Sequence, residues 1–379
     1  RLLKNVKDNN GAHADLCSGS IAAAGNRDPL GMGAAWGANL HVFKQSGYPL
    51  FTNSTIAQLY TDDSIYITST SYSQICNEGY KTISANIDAQ IRSRTSLMHV
   101  ISAGNDGDKN CGYGAGNNWG TITGGHKAAK NSLTVGSVNS YDAMSGFSSR
   151  GPAKDGRLKP EVCADGEQVY TTGNRDNYNL AKGTSQSAPG VAGALAQLYH
   201  AYKSKTGNNA PSALVKAAIM NGCEDLHNNG PDFRTGYGRI NVWRSWRMSD
   251  NNSYFTSSIG QGDSNIHTIT LPVNAKSLRI MLYYHDREAS PNAAKDLVND
   301  LNMRVVHSIG TLNPWVLNHS PNPATIDNPA VRGIDSMNNH EQVTLNDPPS
   351  GNYQIIVKGH DIPMGNQPYV VIYEVQMDE

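Results

Sequence analysis

A chain of 379 residues, 38% hydrophobic and 17% charged, has room for two or three domains and the make-up of an ordinary soluble protein. Its formal net charge of −1 excludes a basic field for nucleic acid and an acidic tail for a basic partner. No apolar run approaches the length of a membrane span, and no signal peptide is visible, so Arg1 reads as the start of a processed or truncated chain.

Asn10, Gly11 and Ala12 lead to His13, which stands at the head of a small-residue helix closed by Gly25. A lone histidine there is most often structural or solvated. Residues 39–43 read as an extended segment, 54–60 as a helix and 64–69 as a second strand. Ile83, Ile87 and Ile91 recur at i, i+4 and i+8, which predicts an amphipathic helix. Residues 99–103 form a short buried-type strand that runs into the turn Gly104-Asn105-Asp106-Gly107. This alternation predicts βαβ units and a parallel sheet, in which function gathers at the C-terminal ends of strands. Asn105 stands at such an end, although an asparagine before Asp-Gly is also an ordinary turn residue.

Residues 108–126 are a Gly- and Asn-rich loop, residues 132–138 another strand, and residues 147–152 and 155–162 turn-rich punctuation. The stretch Gly183-Thr184-Ser185-Gln186-Ser187-Ala188-Pro189-Gly190 crowds a serine with small residues. Ala194, Leu195, Leu198 and Tyr199 continue it at helical spacing, and the pattern fades over residues 203–207. Ser185 is therefore expected near a helix N-terminus, where free N–H groups and the helix dipole favour negative charge. That place suits a nucleophilic serine, and it equally suits a serine that only caps the helix. Residues 211–220 predict one more helix, with Pro211 near its first turn.

Between residues 251 and 263 the character shifts. Alternating strands are predicted at 267–271, 277–284, 301–306, 342–345, 353–357 and 369–375, as in an all-β sandwich or barrel. Two domains follow, residues 1–248 and 249–379. Of the five cysteines, Cys17, Cys163 and Cys223 read as buried thiols, while Cys76 and Cys111 are placed to pair in an oxidising compartment.

Three separated segments resemble the subtilisin-like serine proteases, or subtilases. Gly183 to Pro189 resembles the nucleophile motif, with Gln186 in place of the usual methionine. Ser102-Ala103-Gly104-Asn105-Asp106-Gly107 resembles the segment of the oxyanion-hole asparagine. Asn10 to Ile21, aligned through Gly19-Ser20-Ile21, resembles the histidine segment, with Ala14, Asp15 and Leu16 where the family has glycine, threonine and a second histidine. The resemblance covers roughly residues 9–245. Asp296 to Asn302 and Pro349 to Tyr353 are similar to the C-terminal jelly-roll domain of one branch of alkaline subtilases.

The resemblance implies an α/β fold, a subtilisin-like parallel sheet with helices on both faces, N-terminally incomplete, followed by an all-β jelly-roll or sandwich domain. It implies a secreted or extracytoplasmic endopeptidase acting on protein or peptide substrates without a required cofactor. Ser185 would be the nucleophile, His13 the base, and Asn105 an oxyanion donor. Ser69, Thr70 and Ser71 would pair with the substrate backbone, opposite Gly104, and the glycine usual at Ser71 is missing. The family's catalytic aspartate closes a strand a few dozen residues before the histidine. Asp8 and Asp15 are too close to His13 and are rejected, so the aspartate is expected on a separate N-terminal fragment. The alternative is a catalytically inactive relative acting as a binding or scaffold protein, or a glycan-binding role for the β-domain. Family members often bind calcium, and Asp286 with Asp300 would offer carboxylates to it, against the plainer reading of two solvated loop acids.

Overall fold

The computed structural model describes residues 2–6, 12–43, 52–174 and 177–377, so Asp8 and the start of the histidine segment lie outside the described residues. The first half alternates strands and helices as the spacing predicts. Its elements are β1 (Leu2–Val6), α1 (Ala12–Ala22), β2 (Leu40–Phe43), α2 (Asn53–Asp62), β3 (Ile67–Thr70), α3 (Thr82–Ser93), β4 (Met98–Ser102), β5 (Leu133–Val138) and β6 (Val162–Asp165). A hairpin, β7 (Val169–Thr172) and β8 (Tyr178–Ala181), precedes α4 (Thr184–Thr206), α5 (Ser212–Asn221) and α6 (Val242–Asp250). Strands β3, β4, β5 and β6 form one parallel sheet in that order, and β1 pairs with β2, also in parallel, as a separate ribbon.

Helix α4 organises this half. Ala188, Val191, Ala192, Leu195, Leu198 and Tyr199 line its buried side at helical spacing and pack with Val100, Leu133, Val135 and Val162 of the sheet. Gly207, at φ +74° with its N–H on the Lys203 carbonyl, ends the helix in the left-handed conformation that glycine adopts freely. β4 and β5 are buried along their whole length, as expected of central parallel strands.

The second half is antiparallel. Its strands are β9 (Tyr254–Ile259), β10 (Ser264–Leu271), β11 (Ala275–Tyr283), β12 (Asp300–His307), β13 (Gly310–Leu312), β14 (Trp315–Val316), β15 (Val331–Arg332), β16 (His340–Asn346), β17 (Gly351–Asp361) and β18 (Gln367–Met377). They make two four-stranded sheets, β10-β17-β12-β13 and β16-β11-β18-β9, plus the short β14–β15 ribbon. Ile269, Leu301, Ile355 and Val357 of one sheet share a core with Leu278, Ile280, Val371 and Val343 of the other. Met281, Tyr283, Val370 and Ile372 on the opposite face join the core around α4 and α5, so the two halves are packed together.

Buried ion pairs lie at and behind the same seam, with Lys130–Asp286 and Arg157–Asp296 crossing it. Lys130 meets Asp286 at 2.6 Å, and Arg157 meets Asp155 at 2.6 Å and Asp296 at 2.8 Å. Lys159 and Lys216 share Glu161, at 2.6 and 3.1 Å. Removing one partner of such a pair leaves an uncompensated charge and costs far more than the pair contributes.

Cys76 and Cys111 are joined in a disulfide with Cα atoms 5.7 Å apart, and Cys163 and Cys223 are buried thiols. Closing a loop of this length, a sequence separation of 35, should contribute about 3 to 4 kcal/mol through the unfolded chain. The Cys76→Ser, Cys111→Ser double variant is therefore expected to melt several degrees lower. Calorimetry checks this, and an unchanged melting temperature would show that other contacts hold the loop.

Candidate active site

The site grows from the start of α4. Pro189 lies inside the helix, four residues after Ser185, and has no N–H to give to the Ser185 carbonyl. A buried carbonyl needs donors from elsewhere. The Ser71 hydroxyl donates to it at 3.2 Å and the Cys17 thiol at 3.3 Å. The missing helical bond thus draws the end of β3 and the middle of α1 onto Ser185. The serine itself is the second residue of the helix and half-buried, and the N–H groups on either side of it are engaged, Thr184 with Asn105 Oδ1 and Gln186 with the Gly183 carbonyl, both at 2.9 Å.

Asn105 lies three residues beyond the end of β4 and is fixed by one end only. Its Oδ1 accepts from the Thr184 N–H at 2.9 Å and lies 2.9 Å from the Thr184 hydroxyl. That commits the oxygen and leaves the amide N–H₂ of an exposed side chain free to donate elsewhere. Gly183, at φ +131°, shows where. A Cβ built there would sit 3.3 Å from Asn105 Nδ2 and 3.7 Å from the Ser185 backbone nitrogen. Two donors therefore flank one small space that only a glycine leaves open.

His13 lies in the first turn of α1. The helix is anchored on two sides. Thr171 and Thr172 of β7 donate hydroxyls to the Leu16 and Asp15 carbonyls at 3.1 and 2.9 Å. Buried Ser20 meets buried Gln186, the neighbour of Ser185, at 2.9 Å. Gly19 is required at the contact, because a Cβ there would fall 2.1 Å from Thr172 Oγ1. The His13 ring nitrogens stand 3.8 and 4.0 Å from Cys17 Sγ, and Cys17 in turn touches Ser185. No hydrogen bond joins His13 to the Ser185 hydroxyl. Desolvation lowers the His13 pKa, so the imidazole is neutral at neutral pH and able to accept a proton. Burial pushes the Cys17 thiol up to about 11, with a hydrogen bond from Ser71 opposing it weakly, so Cys17 is a neutral donor rather than a thiolate.

The structure therefore gathers His13, Asn105 and Ser185 around the N-terminus of α4, with Ser71 and Gly104 beside them. Gly104, at φ +119°, takes the Thr184 hydroxyl on its N–H at 3.2 Å. Ser69 and Thr70 close β3, which has one neighbour, β4, and so presents an open edge among the described residues. Cys17 and Thr184 were not singled out as site residues from sequence. The signals existed: Cys17 is one helical turn from His13, and Pro189 four residues past Ser185 implies an outside donor.

Both carboxylates expected to offer themselves to calcium are buried rather than solvated, and Asp300 Oδ1 has no hydrogen-bond partner. Asp286 is neither solvated nor open to an ion: it is wholly buried, with Lys130 at 2.6 Å and the N–H groups of Val298 and Asn299 both at 2.9 Å. Asp300 is also buried, 3.7 Å from the Lys295 ammonium. Among the described residues, no group of three or more His, Cys, Asp and Glu side chains could hold a metal ion. No helix among them is long and apolar enough to cross a membrane.

Comparison with known proteins bears on the family and the fold. The chain is 27% identical over 268 residues to the serine protease/ABC transporter B family protein tagA of Dictyostelium discoideum, covering 60% of this chain and 15% of that protein. It is 29% identical over 196 residues to subtilisin-like protease 1 of Pseudogymnoascus destructans, covering 50% of this chain and 43% of that one. It thus spans less than half the length of either relative. The fold is similar to that of the prenylagaramide maturation protease PagA, with a TM-score of 0.51 at 18% identity over 65% of this chain and 85% of that one. The self-cleaved protease domain of PatA gives a TM-score of 0.50 at 18% identity, over 66% and 88%. Residues 3–238 match the model of the subtilase family of peptidases, and the chain belongs to that family.

Proposed function

We propose that this chain carries the nucleophile, the base and the oxyanion donors of a secreted serine endopeptidase whose catalytic aspartate lies on a segment outside this sequence. The observation that carries the reading is the space beside Gly183, within reach of both Asn105 Nδ2 and the Ser185 N–H. In the reaction, Ser185 Oγ attacks a peptide carbonyl while His13 takes its proton. The carbonyl oxygen, now negative, accepts from Asn105 and the Ser185 backbone. Collapse breaks the C–N bond, His13 returns the proton to the leaving amine, and water then releases the acyl group by the same route. Ser69, Thr70 and Ser71 hold the substrate backbone along the open edge of β3, with Gly104 opposite.

The aspartate belongs on a strand between β2 and β3. Each of these strands has one partner among the described residues, and the two open edges belong to parallel ribbons. Helix α1 rests on β2 and on α4, and α4 rests on β3. A strand inserted in parallel would join the ribbons into one sheet and bring its C-terminal end to the His13 side. The disulfide supports an extracytoplasmic home, because such bonds persist where the surroundings are oxidising. The two-sheet C-terminal half supports the alkaline branch with a jelly-roll domain, and residues 1–248 and 249–379 are its two domains.

Asn105→Ala tests the reading. It should lower kcat for peptide hydrolysis about 100- to 1,000-fold, the size seen when a subtilisin loses its equivalent donor. KM should change little, because the interaction forms in the transition state. An unchanged kcat would overturn the oxyanion reading.

A further inference from the structure

Among the described residues the other buried cations pair with a carboxylate, and Lys127 does not. Lys130, Arg157, Lys159, Lys216 and Arg244 each meet a carboxylate. Lys127 is equally inaccessible at 0% exposure, yet its ammonium donates only to hydroxyls: Thr123 Oγ1 at 2.8 Å and Ser73 Oγ at 3.3 Å. The neighbouring Asp106 carboxylate is held by Lys109 at 2.8 Å. Burial depresses the Lys127 pKa to about 7, against a weaker upward pull from Asp106. A buried charge without a carboxylate partner is expensive, and a perturbed titratable group beside a cleft is a candidate functional group.

Its position says which partner. Thr123 ties together the two walls that the protease reading gives to the substrate. Its Oγ1 is 3.1 Å from Ser73 Oγ, two residues beyond Ser71. Its N–H donates to the Ala103 carbonyl at 3.2 Å, and a Cβ on Gly104 would fall 2.4 Å from its hydroxyl. Thr123 therefore stands at the floor between the Ser69-to-Ser73 wall and the Gly104 wall, with the ammonium directly behind it. Ser71, on the first wall, contacts Ser185 itself.

We propose that Lys127 makes this protease selective for peptides with an acidic side chain on the residue immediately before the cleaved bond. The carboxylate enters between the two walls, accepts from the Ser73 and Thr123 hydroxyls, and supplies the negative charge that Lys127 lacks. Gly104 keeps the entrance free of a side chain. The inference rests on the protease reading and adds its substrate class.

The test uses the protease assembled with its aspartate-bearing segment and two peptides that differ only by Glu or Gln before the scissile bond. The wild type should favour the Glu peptide in kcat/KM by about 10- to 100-fold, the range for a hydrogen-bonded charge against its neutral isostere. Lys127→Met should abolish that preference while still cleaving the Gln peptide. Ser73→Ala, which keeps the Lys127 ammonium and its bond to Thr123 and removes only the longer contact at 3.3 Å, should reduce the preference even if Lys127→Met folds poorly. A wild type that cleaves both peptides equally, or a Lys127→Met variant that keeps the Glu preference, overturns the inference and leaves the protease reading intact. Cleavage of neither peptide, with Ser185 inert to a fluorophosphonate, overturns both.

Discussion

Ser185→Ala should lower kcat for peptide hydrolysis by about a million-fold in the complete protease, to the level that binding and oxyanion donors alone sustain. The size follows from what is lost. With no hydroxyl there is no acyl-enzyme, and His13 and Asn105 then have no nucleophile to serve. The fold should be untouched, because the hydrogen bonds of Ser185 run through its carbonyl oxygen to Cys17 and Ser71 and survive the substitution. Melting curves of wild type and variant should therefore overlay. Steady-state hydrolysis of an internally quenched peptide is the measurement. A variant that retains more than about a hundredth of the activity would place the chemistry elsewhere.

Supplying the aspartate should have the next largest effect. Removing the equivalent residue from a subtilisin costs roughly 3 × 10⁴ in kcat. Adding the aspartate-bearing segment to this chain, fused or as a peptide, should raise kcat by about that factor. Two physical effects combine. A parallel strand about 4.8 Å from β2 and from β3 satisfies two open edges and fixes α1 over a continuous sheet. The carboxylate then orients the imidazole and stabilises its protonated form. Desolvation alone now lowers the His13 pKa, and a nearby negative charge raises it. The acid limb of the pH–rate profile should therefore move to higher pH when the segment is added, and should move back when its aspartate is replaced by asparagine. Equal activity with and without the segment would mean that the site works as it stands.

Much of this was legible in the sequence because it is local. The helix after Ser185, the turn at Asn105 and six of the C-terminal strands follow from period, glycine placement and alternation, and the structure has each within a few residues. The β7–β8 hairpin is harder to see, since its strands, Val-Tyr-Thr-Thr and Tyr-Asn-Leu-Ala, are only four residues long and show no clean alternation. Yet it supplies Thr171 and Thr172, which hold the His13 helix. α6 was also missed. Its Trp243 is exposed while Arg244 is buried, which reverses the expected pattern, and Arg244 is accommodated only because Glu224 and Glu374 reach it from elsewhere. Long-range pairing hides Asp286 in the same way. Its partner, Lys130, is 156 positions away, and nothing local distinguishes it from a loop acid. Lys127 shows the converse: it differs from the other buried cations among the described residues by lacking a carboxylate partner, which no linear pattern reveals.

The most direct measurement is covalent labelling with a fluorophosphonate, which reacts only with a serine whose hydroxyl is activated and whose oxyanion is received. The protein would be labelled with and without the aspartate-bearing segment, and the modified residue located by peptide mapping. The expected result is a single adduct on Ser185, formed much faster with the segment present, slowed in Asn105→Ala and absent in Ser185→Ala. No adduct on Ser185 with the segment bound would contradict the catalytic reading and leave a subtilase fold that binds without cutting.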